Sequence, residues 1–361
     1  MLRTGVNVGV CGVLAFGLGA DYVSTDDPGT ITYALARPEP DSATLVPRTK
    51  EVPPAWHESL RHAFAAQDRI RELELSPLIE SFVVPGSFDG HEASLSVTAT
   101  DEGVRERLEP ILDTVPLDLN VADEVPPAPA TGTESPEPYQ IAELDPDRIP
   151  GGVLCESDDS VGTLAPALFG AESGSRFFGT SNHLYGEGGT KETEHRGEPL
   201  SVVHDDESRR IGDVHRGYPL ADLVVATPVD GYRPAAEIER AFPSRVIGQY
   251  TKAGLAELAA RGEPLTKLGA MTDETSGRIE GIDGVTCFTG ELCREGQLKW
   301  GDEESFTDGD SGSVNFHVDE ERPEEYVLVG GMSNARTWWP GADFIWGTAG
   351  YHLLEEYGIH F

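Results

Sequence analysis

The residues best suited to chemistry in this chain are a serine set between glycines, Gly309-Asp310-Ser311-Gly312-Ser313. A glycine on either side lets the backbone turn tightly around a hydroxyl. The amides of Gly309 and Ser311, with Asp310 between them, can then converge on one oxygen, the arrangement that stabilises an oxyanion in acyl transfer. Gly312 leaves room for a carbonyl group to approach. A serine hydroxyl is a weak nucleophile by itself, so this chemistry requires a base and a carboxylate that orients the base. Without them the same five residues make an ordinary glycine-rich turn.

Both partners are present upstream. Phe177-Phe178-Gly179-Thr180-Ser181-Asn182-His183 is an apolar strand ending in a turn, which sets an imidazole at the strand end. Ala221-Asp222-Leu223-Val224-Val225-Ala226 opens a second apolar strand with an acid. Taken singly, a histidine is often structural and an acid often caps a strand. Taken in the order His, Asp, Ser, they predict a triad in which Asp222 holds one ring nitrogen of His183 and the other serves Ser311 as base. His195, His204 and His215 lack metal-ligand spacing and read as surface residues, so neither a metal nor a cofactor is expected.

These motifs resemble those of the trypsin-like (chymotrypsin-fold) serine peptidases. Thr180-Ser181-Asn182-His183 is similar to the family's Thr-Ala-Ala-His turn, Ala221-Asp222-Leu223-Val224 to its Asp-Ile-Ala-Leu strand start, and Gly309–Ser313 to its Gly-Asp-Ser-Gly-Gly. Leu328-Val329-Gly330-Gly331-Met332-Ser333 resembles the strand lining the substrate cleft. There Ser333 matches a serine whose backbone pairs with substrate and whose hydroxyl lies near the aspartate. Lys267-x-Gly269-x-x-Thr272-x-x-Thr275-x-Gly277 resembles a glycine- and threonine-rich strand of bacterial and plant members. The Asn-His turn and the opening strand Gly162-Thr163-Leu164 are similar to the intracellular branch that includes the plant narrow-leaf peptidases. The resemblance covers the C-terminal part and none of residues 1–125. It implies a mainly β fold, two six-stranded-type β-barrels, which the residue pattern upstream suggests are preceded by a small α+β N-terminal domain. It also implies an endopeptidase that passes through an acyl-enzyme.

Departures from the family pattern bear on specificity. Ser305, six positions before the nucleophile, is not the aspartate that selects arginine or lysine. Ala335 replaces a glycine that admits large side chains, and Asp273 replaces a glycine of the strand motif. Ser305, Ser333 and Ala335 are therefore the expected substrate-binding positions, with a preference for a small or medium apolar side chain. Arg148-Ile149-Pro150-Gly151-Gly152 resembles a zymogen activation site, where a freed amine would pair with Asp310, although Pro150 argues against cleavage. The same departures suit a second function class, a binding or scaffolding protein on a peptidase fold with weak or lost activity.

Composition narrows the partners. Among 361 residues, 63 acids face 27 bases, a net charge of −36. Nucleic acid and anionic membrane both require a basic face, so neither is an expected partner; a polypeptide substrate is, and homo-oligomerisation is left open. Acids spread along the whole chain, with lysine scarcer than arginine, fit a halophile's protein, because concentrated salt screens the self-repulsion. The chain is thus expected to be a haloarchaeal-type member with an N-terminal extension. The apolar, glycine-rich run Val6 to Ala20 reads as a buried strand pair, giving a cytoplasmic protein, or as a secretory leader. Four cysteines occur; Cys287 and Cys293 suit either a bridge across a short loop or two buried free thiols.

Three regions are expected to position these residues. Residues 1–125 form an α+β unit of unknown role, with a strand over Thr30–Leu35 and an amphipathic helix from Trp56 to Leu75 carrying Leu60, Phe64 and Ile70. Strands at Ile79–Val84, Ala93–Thr100 and Leu117–Val121 follow, with a helix from about Glu102 to Thr114 capped by Thr100 or Asp101. A proline-rich linker spans 126–149. Residues 150–361 hold short strands between glycine turns, with helices near Tyr250–Arg261 and Tyr351–Tyr357.

Overall fold

The computed structural model describes residues 29–73, 75, 77–109, 115–122, 137–158, 160–186, 195–287, 293–336 and 344–361. The run Val6 to Ala20, the proline-rich stretch Pro126–Thr133 and the end of the helix expected to reach Thr114 lie outside them.

One sheet of eight strands surrounds the first core. Its order is Ile359–His360, Leu168–Gly170, Arg176–Thr180, Leu223–Pro228, Glu207–Tyr218, Pro199–His204, Leu154–Glu156 and Val161–Thr163. Neighbouring strands run antiparallel, and apolar side chains turn inward to enclose Cys155, Phe178, Leu200, Val202, Ile211 and Val224. The register matters more than the count. Thr180 lies opposite Val224, so the residues that follow one strand and those that precede the other meet at the same end.

The second sheet has fifteen strands. Its centre is Arg245–Tyr250, Tyr326–Met332, Val314–Val318, Pro264–Gly269, Asp273–Thr286, Arg294–Trp300 and Ile345–Thr348. The N-terminal strands share its hydrogen bonds. Thr30–Ala36 pairs antiparallel with Arg245–Tyr250, and Leu78–Val84 pairs antiparallel with Asp273–Thr286. The expected N-terminal unit is therefore joined edge-on to the sheet that carries the nucleophile turn, and its apolar residues enter the same core. The helix α1, Pro54–Glu72, buries Trp56, Leu60, Phe64 and Ile70 at helical spacing, with proline at its start where no hydrogen bond is lost. It ends short of the expected Leu75. The short helix α2, Val104–Leu108, has Gly103 rather than Thr100 or Asp101 at its N-cap. Asp101 instead bends the chain ahead of it, its Oδ1 accepting from the N–H of Gly103 at 2.8 Å. The strand Ser94–Ala99, α2 and the strand Leu117–Val121 make a parallel crossover. Helices α3, Lys252–Ala260, and α4, Gly350–Tyr357, lie where the sequence pattern put them. Thr251 caps α3 by accepting from Gly254 N–H at 3.0 Å.

A buried acid ties these parts together. The Asp283 carboxylate accepts from Arg71 of α1 at 2.6 Å, from Tyr351 of α4 at 3.3 Å, and lies 3.3 Å from Lys252 of α3. Burial pushes its carboxyl pKa up, but Lys252 and Arg71 outweigh burial and hold it below the usual carboxylate range. Asp283→Asn keeps the shape and the left-handed backbone at this residue, while leaving two cations beside a neutral amide. It should cost about 3 kcal/mol in urea unfolding; a loss under about 1 kcal/mol would mean that solvent already screens the cluster.

Candidate active site

His183 and Asp222 meet because of the strand register. After Thr180 the chain enters a 3₁₀ turn, Asn182–Tyr185, which carries His183 across the end of the neighbouring strand. Asp222 sits just before Leu223 with φ 47°, a left-handed conformation that aspartate tolerates better than most residues. Its two oxygens are both used: Oδ1 accepts from the backbone N–H of His183 at 2.9 Å, and Oδ2 lies 2.7 Å from His183 Nδ1. A carboxylate acceptor fixes the proton of the neutral ring on Nδ1, so Nε2 carries the lone pair. Asp222 is 1 % exposed, whereas the imidazole is 40 % exposed and open on one side.

Burial raises the pKa of the Asp222 carboxyl, but the charges of His183 and Arg294 and the bonds from His183 hold it far below the usual range. For His183, burial pulls the pKa down. The Asp222 charge and hydrogen bond outweigh it, with Arg294 opposing and Asp308 assisting, and the imidazole titrates above the ordinary histidine value.

The nucleophile turn comes from the second sheet. Gly309 and Gly312 both have φ 94°, which only glycine adopts without strain. Among the described residues, the N–H groups of Gly309 and Ser311 have no hydrogen-bond acceptor, while that of Asp310 is used by Thr307 O at 3.0 Å. The two amides on either side of Asp310 are thus free for an external oxygen. The Asp310 side chain points inward. It takes N–H groups from Met271 (3.0 Å), Thr272 (3.2 Å) and Thr307 (3.1 Å), the Thr272 hydroxyl (2.6 Å) and Lys267 Nζ (3.0 Å). Both members of this ion pair are fully buried. Gly269 admits it, since a Cβ there would stand 2.0 Å from Asp310 Oδ1. Thr163 braces the turn from the first sheet, donating to Gly309 O at 2.9 Å and accepting from Ala270 N–H at 2.9 Å.

Two sequence readings change here. Gly312 is required not for an approaching carbonyl but for its neighbours. A Cβ would meet Thr180 Oγ1 at 2.3 Å and Thr163 O at 2.4 Å, so the two sheets close against this glycine. The aspartate before the nucleophile pairs with Lys267, at the place the zymogen reading gives to a freed amine. Ile149 is buried in the strand Ile149–Gly151, paired with Pro234–Ile238, and Arg148 pairs with Glu237.

The remaining positions lie in the segments before and after the nucleophile turn. Ser311 Oγ donates to Asn334 O at 3.2 Å and makes no hydrogen bond to His183 among the described residues. Ser333 pairs through its backbone with Gly312 N–H (3.0 Å) and Ser313 O (2.8 Å), while its hydroxyl, expected near the aspartate, has no hydrogen-bond partner among the described residues. Ser305 closes the turn Glu303–Ser305, its N–H and hydroxyl both bound to Asp302 Oδ1. Ala335 begins a short strand opposite Trp346. Asp273 stands at φ 58° and pairs with Arg240, so its left-handed backbone explains why a glycine would also serve there. Cys287 and Cys293 form a disulfide, and burial pushes the free Cys155 thiol up to about 12.

Four residues escaped the sequence reading as participants: Asn334, Thr163, Lys267 and Arg294. Thr163 and Lys267 stood inside motifs read from the sequence but with no role of their own, and Asn334 and Arg294 left no trace. Asn334 Nδ2 donates to Asp222 O and to Ser181 Oγ, both at 2.9 Å, which joins the two sheets beside the site.

No protein-family model and no curated protein matches the chain. Many solved structures are similar to it, three of them as follows. One is a glutamic-acid-specific serine protease that uses a histidine triad in substrate binding (18 % identity, TM-score 0.43), covering 59 % of this chain and 99 % of that one. The second is Thermobifida fusca protease A (15 %, 0.41), covering 59 % and 97 %. The third is Cellulomonas bogoriensis chymotrypsin (15 %, 0.40), covering 59 % and 98 %. Likeness this distant transfers no residue role. The architecture itself is mainly β, built on two curled half-barrel sheets.

Lys267→Met removes the cation from a sealed carboxylate and tests the support of the nucleophile turn. The expected loss is about 3–5 kcal/mol of stability in denaturant titration. An unchanged midpoint would mean that Asp310 is held by its N–H donors alone.

Proposed function

We propose that the chain is a serine endopeptidase in which His183, Asp222 and Ser311 act as the triad. The observation that carries this reading is the 2.7 Å contact between His183 Nδ1 and a buried Asp222, which leaves Nε2 as the base, with Asn334 bridging Asp222 O and the Ser311 hydroxyl. In the reaction, Ser311 Oγ swings from Asn334 O to Nε2 and attacks the substrate carbonyl carbon while Nε2 takes its proton. The developing oxyanion accepts from the Gly309 and Ser311 amides. The imidazolium, stabilised by Asp222, gives its proton to the departing amine as the C–N bond breaks, leaving an ester on Ser311. Water then repeats the sequence, its proton passing to His183 and on to Ser311 as the acid product leaves.

The substrate is a polypeptide, and neither cofactor nor metal takes part. Ser305 and Ala335 favour a small or medium apolar side chain next to the scissile bond. Among the described residues no helix is long and apolar enough to cross a membrane. Activity is best sought in molar salt, given the net charge of −36.

One observation favours the second reading, a peptidase-fold binding protein: the Ser311 hydroxyl rests on Asn334 O rather than on His183. Apo hydrogen bonds at catalytic sites are often loose, so this does not outweigh the Asp222–His183 geometry. A fluorophosphonate probe separates the two. It should label folded protein at Ser311 and not label Ser311→Ala, and peptide hydrolysis should vanish in the same variant. Equal turnover by both proteins, or no labelling of folded wild type, would refute the peptidase.

Asp222→Asn should lower kcat by about 10⁴-fold, because an amide places the ring proton on the wrong nitrogen. The pH profile has a definite sign. A base works unprotonated and the folded His183 pKa is raised, so kcat/KM should climb through a midpoint above the ordinary histidine value of about 6.5. A midpoint below that value would contradict the assignment.

A further inference from the structure

The Asp222 carboxylate has a third neighbour that the triad does not require. Arg294 Nη1 lies 3.5 Å from Oδ2, the same oxygen that holds His183 Nδ1, and its side chain is 26 % exposed. Its placement is fixed from two sides. Arg294 opens the strand Arg294–Trp300 opposite Thr286, and the residue before it, Cys293, is bonded to Cys287 across the same hairpin. The resemblance would put a serine hydroxyl at this carboxylate, but Ser333 Oγ has no hydrogen-bond partner among the described residues.

We propose that Arg294 is a positioning residue that sets the basicity of His183 by sharing Asp222 Oδ2 with it. The proposal rests on reading His183 as the general base. A neutral hydroxyl at Oδ2 would orient the carboxylate and leave its full charge facing the imidazole. A guanidinium, a permanent cation, does two further things: it neutralises part of that charge and repels the imidazolium. The charged groups facing His183 are Asp222 beside Leu223–Pro228, Asp308 in the nucleophile turn and Arg294 on its own strand. Among these groups the two acids favour the protonated ring, and Arg294 opposes it in the same direction as burial. Arg294 therefore keeps the ring unprotonated over a wider range, while Asp222 still stabilises the imidazolium formed during attack. The pair balances a base that must accept a proton against an acid that must release it.

The test titrates the ring itself. Full-length protein with ¹⁵N-labelled histidine is followed by NMR from pH 5 to 9 as wild type, Arg294→Gln and Arg294→Lys, with His183 assigned from the signal lost in His183→Gln. Profiles of kcat/KM are measured in the same buffers. Arg294→Gln should move the His183 midpoint upward, and Arg294→Lys should keep it near wild type. On the acid limb, kcat/KM of the Gln variant should fall roughly 3- to 10-fold, with a smaller change on the alkaline plateau. An Arg294→Gln midpoint equal to wild type overturns the proposal, whatever the activity. Because the ring signal does not depend on turnover, an upward shift in a protein that hydrolyses nothing would refute the peptidase and still establish the coupling. Should Arg294→Gln fail to fold, Arg294→Lys against Arg294→Met reads the same difference.

Discussion

An ionised carboxylate at 1 % exposure cannot stand alone, and the surroundings of Asp222 are what make it stable there. Its two oxygens take an N–H and a ring nitrogen from His183, with Arg294 beside one of them. None of these contacts is local in sequence. They exist because Thr180 lies opposite Val224, which brings the end of one strand to the start of another, and because a hairpin of the second sheet reaches the same point. A slip of one residue in the first register would turn Asp222 to the other face and dissolve the arrangement.

The second sheet must then hold Ser311 in fixed relation to that carboxylate. Asn334 does so from its side chain, donating to Asp222 O and Ser181 Oγ and accepting from Thr348 N–H at 3.1 Å, while its carbonyl holds the Ser311 hydroxyl. Thr348 adds a bond to Ala221 O at 2.7 Å. On the far side, Thr163 and the Lys267–Asp310 pair fix the turn that presents the Gly309 and Ser311 amides. Three buried acids thus serve three ends. Asp283 pairs with permanent or strongly basic cations and joins helices; Asp310 pairs with a sealed lysine and shapes a turn. Asp222 alone pairs with a group that changes charge near neutral pH and is open to solvent on one face. That difference is what favours reading Asp222 as the acid of the proposed triad.

What could be read from the sequence was local. His183 and Asp222 each lie beside an apolar strand, and Ser311 sits in a turn between Gly309 and Gly312, so residue type and immediate context were enough to single them out. The helix α1 followed from the spacing of Leu60, Phe64 and Ile70, and α3 and α4 from brief helical patterns. Pairings between distant segments were not legible, because a strand does not encode its partner: nothing in Thr30–Ala36 names Arg245–Tyr250. The same limit hid Lys267 as the partner of Asp310, and it left Cys287 and Cys293 open between a bridge and two thiols. Gly312 was singled out for the wrong reason, since its missing side chain makes room for Thr180 and Thr163 rather than for substrate. Arg294 gave no signal, because its role depends on a hairpin reaching across to the other sheet.

The claim that Ser311 is a nucleophile backed by His183 and two free amides is tested most directly by a structure of the protein with a peptidyl boronic acid. Boron should be bonded to Ser311 Oγ, with one boronate oxygen accepting from the Gly309 and Ser311 N–H groups and His183 Nε2 within hydrogen-bond reach of the other side. A boronate bound elsewhere, or a Ser311 hydroxyl still resting on Asn334 O in protein saturated with the compound, would contradict it.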